Sequence, residues 1–294
     1  MTEADKWTVG RLLEWTTDYL KKHGADSPRL DAEVLLAEAR GCQRIELYTA
    51  FGEEASEQVR TAFRELVRRR AEGTPVAYLV GRREFYSLSF FVNPDVLIPR
   101  PESEFLVITL LDLAKRHRNA RPRIVDVGTG SGILAICAAK HLPDAEIIAL
   151  DISLPALQVA RRNAETHRVS DRIDFRQGNL LEATAGSGPA DFIVSNPPYV
   201  SETEFSALPR DVREHEPRLA IVAGPEGTEV IARLATQSAR QLAPGGWLLL
   251  EISPMIESKV HDLLKQTNQF RDISTVKDLA KLPRVVRAQR DNDR

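Results

Sequence analysis

Arg123-Ile124-Val125-Asp126-Val127-Gly128-Thr129-Gly130-Ser131-Gly132 is the stretch on which the fold turns. Ile124 to Val127 reads as a short buried strand, and Ile133 to His141 as the helix after it. The glycines between them let backbone approach a ligand closely, and the helix start presents N–H groups with no partner inside the helix. Asp151 ends a second apolar run, Glu146 to Leu150, about twenty residues further on, where an acidic side chain can grip a ribose diol. Outward from this unit the chain keeps alternating strand and helix. Arg172 to Phe175, Asp191 to Ser195 and Trp247 to Ile252 are further strands, with weaker ones around Asp272 to Val276 and Arg284 to Arg287. That rhythm predicts a doubly wound, parallel α/β sheet.

The ligand of such a loop is open to two readings. A nicotinamide dinucleotide calls for G-x-G-x-x-G and a pyrophosphate on the helix. Here the spacing is G-x-G-x-G, and the acid Asp126 precedes it. A carboxylate there suits a cationic or amino-bearing ligand better than a pyrophosphate. S-adenosylmethionine has a ribose, a sulfonium and an amino-acid tail, and no phosphate. After the third strand, Asn179 could read an adenine edge while Leu180 packs on the ring; an ordinary Asn turn is the competing account.

Ser195-Asn196-Pro197-Pro198-Tyr199 comes directly after the fourth strand. Two prolines cannot continue a ladder, and they hold the preceding Asn196 extended at the strand's carboxyl end. An amide oxygen there, with a free proline carbonyl beside it, could accept both hydrogens of a planar NH2 group while Tyr199 stacks on its plane. The plainer alternative is a proline-stiffened loop.

The first part of the chain differs in kind. Thr8 can cap a helix bearing Val9, Leu12, Leu13 and Leu20; Ser27-Pro28 opens a second that Gly41 stops; a third runs through Val59, Phe63, Leu66 and Val67 to Arg68-Arg69-Arg70. That basic end is expected to offset the helix dipole rather than bind nucleic acid. These patterns set the boundaries: a helical domain over 1–80, a linker over 81–97 in which Phe85 to Val92 alternates as a β-hairpin would, and the α/β domain over 98–294. Pro99-Arg100-Pro101-Glu102 makes a stiff entry to the next helix.

At 28% charged residues and a net charge of −2, the composition is that of an ordinary globular protein and argues against a partner bound mainly through phosphates. Two cysteines, Cys42 and Cys137, give no disulfide framework, and His117, His141, His167 and His215 form no metal-ligand spacing. Met1 to Asp5 lacks the basic and apolar regions of a signal peptide, and no apolar run is long enough to span a bilayer, so a cytoplasmic location is expected.

With these residues quoted, the chain resembles class I S-adenosylmethionine-dependent methyltransferases, and more narrowly the release-factor glutamine methyltransferases (PrmC/HemK). The likeness runs over nearly the whole chain. It includes Gly81 to Tyr86, Leu97 to Glu104, Asp126 to Gly132, Asn196 to Tyr199, Glu216 to Ala220 and Lys277 to Ala280 with Leu282 to Val286. The resemblance implies a Rossmann-like sheet, mostly parallel with a reversed last strand. It implies methylation of the side-chain amide nitrogen (N5) of the Gly-Gly-Gln glutamine in peptide chain release factors. The cofactor falls to Gly128, Thr129, Gly130, Ser131, Gly132, Asp151, Asn179, Leu180 and Asn196; Asn196, Pro197 and Tyr199 are the catalytic group, with Pro198 and Arg100 on the substrate. Asn179 stands where members often carry Asp, and Ile252-Ser253-Pro254-Met255 replaces a more usual Ile-Gly. Asn-Pro-Pro-Tyr is shared with adenine and guanine amino-methyltransferases, so a nucleic-acid amino-methyltransferase is the first alternative. A cofactor-binding protein without catalysis would be expected to lose Asn196 or its prolines.

Overall fold

The structure is a computed structural model that describes residues 6–292; the reading of Met1 to Asp5 lies outside them. The chain divides into two compact units. One comprises residues up to Arg82 together with Pro209–His215, the other Arg83–Leu208 and the residues from Glu216 on.

The first unit is helical: α1 (Val9–Lys22), α2 (Pro28–Arg40), α3 (Arg44–Thr49), α4 (Glu57–Ala71) and α5 (Val76–Val80). Thr8 Oγ1 accepts from Arg11 N at 3.3 Å, so the cap foreseen for α1 forms. Pro28 opens α2, and Gly41 closes it at φ 65°. Helices α3 and α5 had no visible period, because six and five residues are too few to show one. Val9, Leu13, Leu20, Leu35, Leu36, Leu47 and Phe63 make the core. Buried Glu33 receives Arg29 Nε and Arg44 Nη2 at 2.8 Å and the Tyr48 hydroxyl at 2.6 Å. Burial pushes its carboxyl up, but these bonds together hold it below the usual range. In the basic run, Arg68 pairs with Glu65 and Glu72, and Arg70 with Asp31. The short helix Arg210–His215 (α10 in chain order) also belongs to this unit, which nothing in its sequence announced.

The second unit opens with a hairpin of β1 (Arg82–Phe85) and β2 (Leu88–Phe91). Its turn residues, Tyr86 and Ser87, both have positive φ, 50° and 59°. That geometry matches the twist of paired strands but is usually signalled by Asn or Gly, which is why the turn was not visible. After α6 (Glu104–Lys115) come β3 (Arg123–Val127), α7 (Ile133–His141), β4 (Glu146–Asp151), α8 (Leu154–Thr166), β5 (Ile173–Gln177) and β6 (Ala190–Ser195). Two short strands, β7 (Val200–Ser201) and β8 (Val222–Gly224), flank α9 (Glu202–Phe205) and the Arg210–His215 segment. The chain ends with α11 (Glu229–Gln241), β9 (Leu242–Glu251), α12 (Glu257–Gln266), β10 (Phe270–Lys277) and β11 (Pro283–Arg290).

Seven strands form one sheet in the order β10-β11-β9-β6-β3-β4-β5. All run parallel except β11, which is antiparallel to both neighbours, so the last strand in the chain is the reversed one, as expected. Alternate residues feed opposite faces. Ile124, Ile147, Phe192 and Leu249 join α6, α7 and α8 on one side. Val125, Ile148, Ile193 and Leu248 join α11 and α12 on the other. Because both faces are covered, the strands read as apolar runs. Strand order reverses between β3 and β6, and there Ser195 Oγ donates to the Val127 carbonyl at 2.7 Å. Ligand crevices of open α/β sheets lie beyond the carboxyl ends at such a point.

Candidate functional site

Beyond β3 the chain turns through Gly128, Gly130 and Gly132, all with positive φ. Asp126, wholly buried, organises this turn: its Oδ2 accepts from Thr129 Oγ1 at 2.6 Å and from Ala135 N at 3.1 Å. Burial pushes its carboxyl up to about 7. The sequence suggested that Asp126 faces a cationic ligand; the structure instead puts it behind the loop, holding Thr129 to the first turn of α7. Gly132 is the tightest position. A Cβ there would stand 3.0 Å from Ile136 Cδ1 and 3.2 Å from Ala160 Cβ, at φ +86°. Gly132→Ala is therefore expected to destabilise the protein by roughly 2–4 kcal/mol, from left-handed strain plus overpacking. Thermal unfolding checks this; an unchanged Tm would mean that α8 yields freely.

Asp151, at the end of β4, is fixed by two backbone donors, Gly130 N to Oδ2 and Ser153 N to Oδ1, both at 2.9 Å. Burial raises its carboxyl despite these bonds. After β5, Leu180 adopts φ 56° and Leu181 N donates to Gln237 Oε1 at 2.9 Å, which fixes the turn that carries Asn179. After β6, Asn196 sends Nδ2 to Ser103 Oγ at 3.3 Å.

A cavity of about 410 Å³ joins these ends. Gly128, Thr129, Gly130, Ser131, Asp151, Asn179, Leu180, Asn196, Pro198 and Arg100 all line it, so sequence reasoning brought most of one site together. Three expected residues stay off its wall. Gly132 faces Ile136 and Ala160 in the packed interior. Pro197 is buried. Tyr199, partly buried, packs against the apolar cluster that includes Leu250 and Ile252 as the chain turns into β7.

Another wall comes from the loop that includes Glu214 to Arg218, which the sequence leaves open between a cover for the site and an ordinary surface loop. Pro217, Leu219 and Ala220 line the cavity from the loop after the Asn-Pro-Pro-Tyr turn. That loop is anchored by buried Glu216, which accepts from Ile98 N at 3.0 Å and from the Arg100 guanidinium. Arg100 thus ties two walls together and does not stand free. Segments 97–104 and 216–220 each stood out in the sequence, but nothing there showed that they pair.

Glu251 was also missed, although a carboxylate closing the run Leu248-Leu249-Leu250 is unusual for a buried strand. Burial, reinforced by Glu102, pushes it up to about 7 against the pull of a Ser103 hydrogen bond, Arg284 and Arg100. The fold therefore prefers its neutral form: this contribution to stability is full below about pH 4.5 and is lost as pH rises through about 7. Glu251→Gln, which cannot ionise, should gain stability relative to the parent between pH 5 and pH 8, by up to roughly 3 kcal/mol. Paired melting curves at the two pH values test it; a constant difference would contradict it.

Comparison with known proteins gives the family. Residues 11–81 match the family described as PrmC N-terminal domain, and residues 102–213 match Methyltransferase small domain. The release factor glutamine methyltransferase of Rhodopirellula baltica is 51% identical over 286 residues, 97% of either chain. Proteins of the same name from Koribacter versatilis and Chlorobaculum tepidum are 40% and 41% identical, over 95% and 97% of this chain and 97% and 98% of theirs. Among solved structures, a T. thermophilus 16S rRNA methyltransferase in complex with AdoMet and guanosine superposes with a TM-score of 0.53 at 20% identity, over 71% of this chain and 49% of that one. The hMettl16 catalytic domain with a 3′UTR hairpin gives 0.56 at 16% identity, over 78% and 83%. At those identities the likeness is one of fold.

Proposed function

The chain belongs to the release factor glutamine methyltransferase family, and from that premise we propose that it methylates the side-chain amide nitrogen of the Gly-Gly-Gln glutamine in peptide chain release factors, using S-adenosylmethionine. The observation that carries the reading is one cavity at the β3/β6 crevice sharing the glycine loop, Asp151 and Asn196.

The residues present fit the cofactor. Gly128 would leave a Cβ with nothing within 4 Å, so the loop is an open cradle. Asp151 is held by backbone donors and keeps lone pairs for a ribose diol. Asn179 and Leu180 stand where an adenine edge and face would lie, and the cavity's size is in the small-molecule range. When bound, S-adenosylmethionine supplies an electrophilic methyl group on a sulfonium.

The chain's own residues supply alignment. An amide nitrogen is a weak nucleophile because its lone pair is delocalised into the carbonyl. Asn196 Oδ1 accepts one hydrogen of the substrate amide and the Pro197 carbonyl the other, which fixes the nitrogen and favours the positive charge that develops on it. That nitrogen becomes acidic as it is alkylated, so no strong base is needed. Tyr199 acts from beneath, by packing that stiffens the turn. Arg100, through Glu216, holds the walls that receive the glutamine. The helical unit, which matches the PrmC N-terminal domain, is assigned to recognising the release factor. A cytoplasmic location is part of the same reading, because that is where a release factor would be met. Among the described residues no helix is long and apolar enough to cross a membrane.

The test is transfer of labelled methyl to a purified release factor, to the same factor with its Gly-Gly-Gln glutamine changed to alanine, and to DNA and RNA. Label on the unaltered factor alone supports the reading. Label on nucleic acid would keep the amino-group chemistry and overturn the acceptor.

A further inference from the structure

Asn163 lies on α8 and is only 1% exposed, yet both ends of its side chain are engaged. Oδ1 accepts from Phe91 N at 2.7 Å, while Nδ2 donates to the Phe91 carbonyl at 3.0 Å and to the Ser131 carbonyl at 2.9 Å. The Phe91 main chain fixes which end of the amide is which, because only the oxygen accepts from an N–H and only the nitrogen donates to a carbonyl. One buried side chain therefore ties the last residue of β2 to the glycine loop.

The bond to Ser131 stands in for an ordinary helical one. At the start of α7 the Ser131 carbonyl would take the N–H four residues on, that of Ala135. That N–H goes instead to Asp126 Oδ2 at 3.1 Å, and Asn163 Nδ2 takes its place. Neighbours on α8 hold the same two pieces. A Cβ at Gly132 would stand 3.2 Å from Ala160 Cβ, so the loop rests on the helix about one turn before Asn163. The Arg162 guanidinium sits 3.5 Å over the Phe91 ring, and His167 Nε2 donates to the Ser89 carbonyl at 2.9 Å. Two parts of the cavity wall depend on this seat. Ser131 belongs to the wall itself, and Asp95, Val96 and Leu97, a few residues beyond β2, form another part.

We propose that Asn163 is a positioning residue for the cofactor, one that holds the Ser131 peptide in the shape of the cradle and makes order in the β-hairpin and order in the glycine loop a single equilibrium. The inference rests on the cofactor assigned above. A carbonyl buried without a donor is unfavourable, so a loop that lost Asn163 would turn its Ser131 peptide to find another partner. The cradle would then have to be rebuilt each time a ligand binds. Linkage makes the effect reciprocal: the factor by which releasing the hairpin weakens the cofactor is the factor by which bound cofactor tightens the hairpin.

The experiment uses the full chain in two parts. In Asn163→Ala the Kd for S-adenosylmethionine, measured by calorimetric titration, should weaken about tenfold, while kcat on a release factor at saturating cofactor stays within about twofold. Losing a buried amide also lowers the Tm, so Leu264→Ala, a truncation at a fully buried position of α12, is the control for destabilisation alone and should keep the parental Kd. The second part needs only the parent protein and decides the matter even if the variant does not fold. Hydrogen exchange of the Phe91 amide should slow about tenfold on saturation with S-adenosylmethionine, beyond any slowing of the amides in β10 at the far edge of the sheet. An unchanged Kd in Asn163→Ala, an equal loss in Leu264→Ala, or a Phe91 amide indifferent to the cofactor would overturn the proposal. Parental binding with an unchanged variant would sink this inference alone, whereas a parent that binds no S-adenosylmethionine would sink the cofactor assignment together with it.

Discussion

Asn196→Ala is expected to lower kcat by roughly 1000-fold or more while leaving the Kd for S-adenosylmethionine within about threefold. The argument is geometric. Asn196 is held at the end of β6 by a strand whose Ser195 is tied to Val127, and two prolines after it leave no freedom to drift. In the proposed mechanism its oxygen accepts a hydrogen of the substrate amide, so alanine would remove alignment and charge stabilisation together. The cofactor's proposed partners, Asp151 and the glycine loop, belong to β3 and β4 and are untouched. Single-turnover methylation alongside equilibrium binding separates the two quantities. A kcat loss matched by an equal loss of cofactor affinity would mean that Asn196 chiefly builds the cofactor site.

The converse is expected of Asp151→Ala: a Kd for S-adenosylmethionine weaker by roughly 100-fold, with chemistry at saturating cofactor much less affected. Two effects combine. A carboxylate gripping a ribose diol is worth about 1.5–3 kcal/mol as a charge-assisted hydrogen bond. The same carboxylate also anchors the Gly130 N–H at 2.9 Å, so its loss frees the loop that should cradle the ligand. Asp151→Asn keeps one oxygen and should fall between. Calorimetric titration distinguishes these outcomes. Parental affinity in Asp151→Ala would remove the ribose from this end of β4.

Much of this was legible in the sequence because the sheet is covered on both faces. A strand buried on both faces carries few polar residues, so Ile124 to Val127, apolar apart from Asp126, and the run Phe192 to Val194 stand out, and the chain just beyond each run reaches the crevice. Side chains that terminate such strands, Asp151 and Asn196, therefore announced themselves. Less legible was anything that depends on two distant segments meeting. Glu216 and Arg100 are 116 positions apart, and each alone looks like an ordinary surface charge. Tyr199 is the opposite case. Its residue type suggested a stacking face, but direction after a proline pair is set by the next strand, β7, which carries the ring into the apolar layer. The hairpin turn at Tyr86-Ser87 was hidden because it uses positive φ without the residues that usually signal it.

The most direct measurement of the central claim is where the methyl group goes. A release factor labelled with ¹⁵N in its glutamine side-chain amides would be incubated with this protein and S-adenosylmethionine, then digested and fragmented by mass spectrometry. The account predicts one added methyl on the peptide bearing Gly-Gly-Gln, carried on the labelled amide nitrogen and released with it on deamidation. A methyl group on another atom of that peptide, or on no peptide of the factor while nucleic acid is modified, would contradict it.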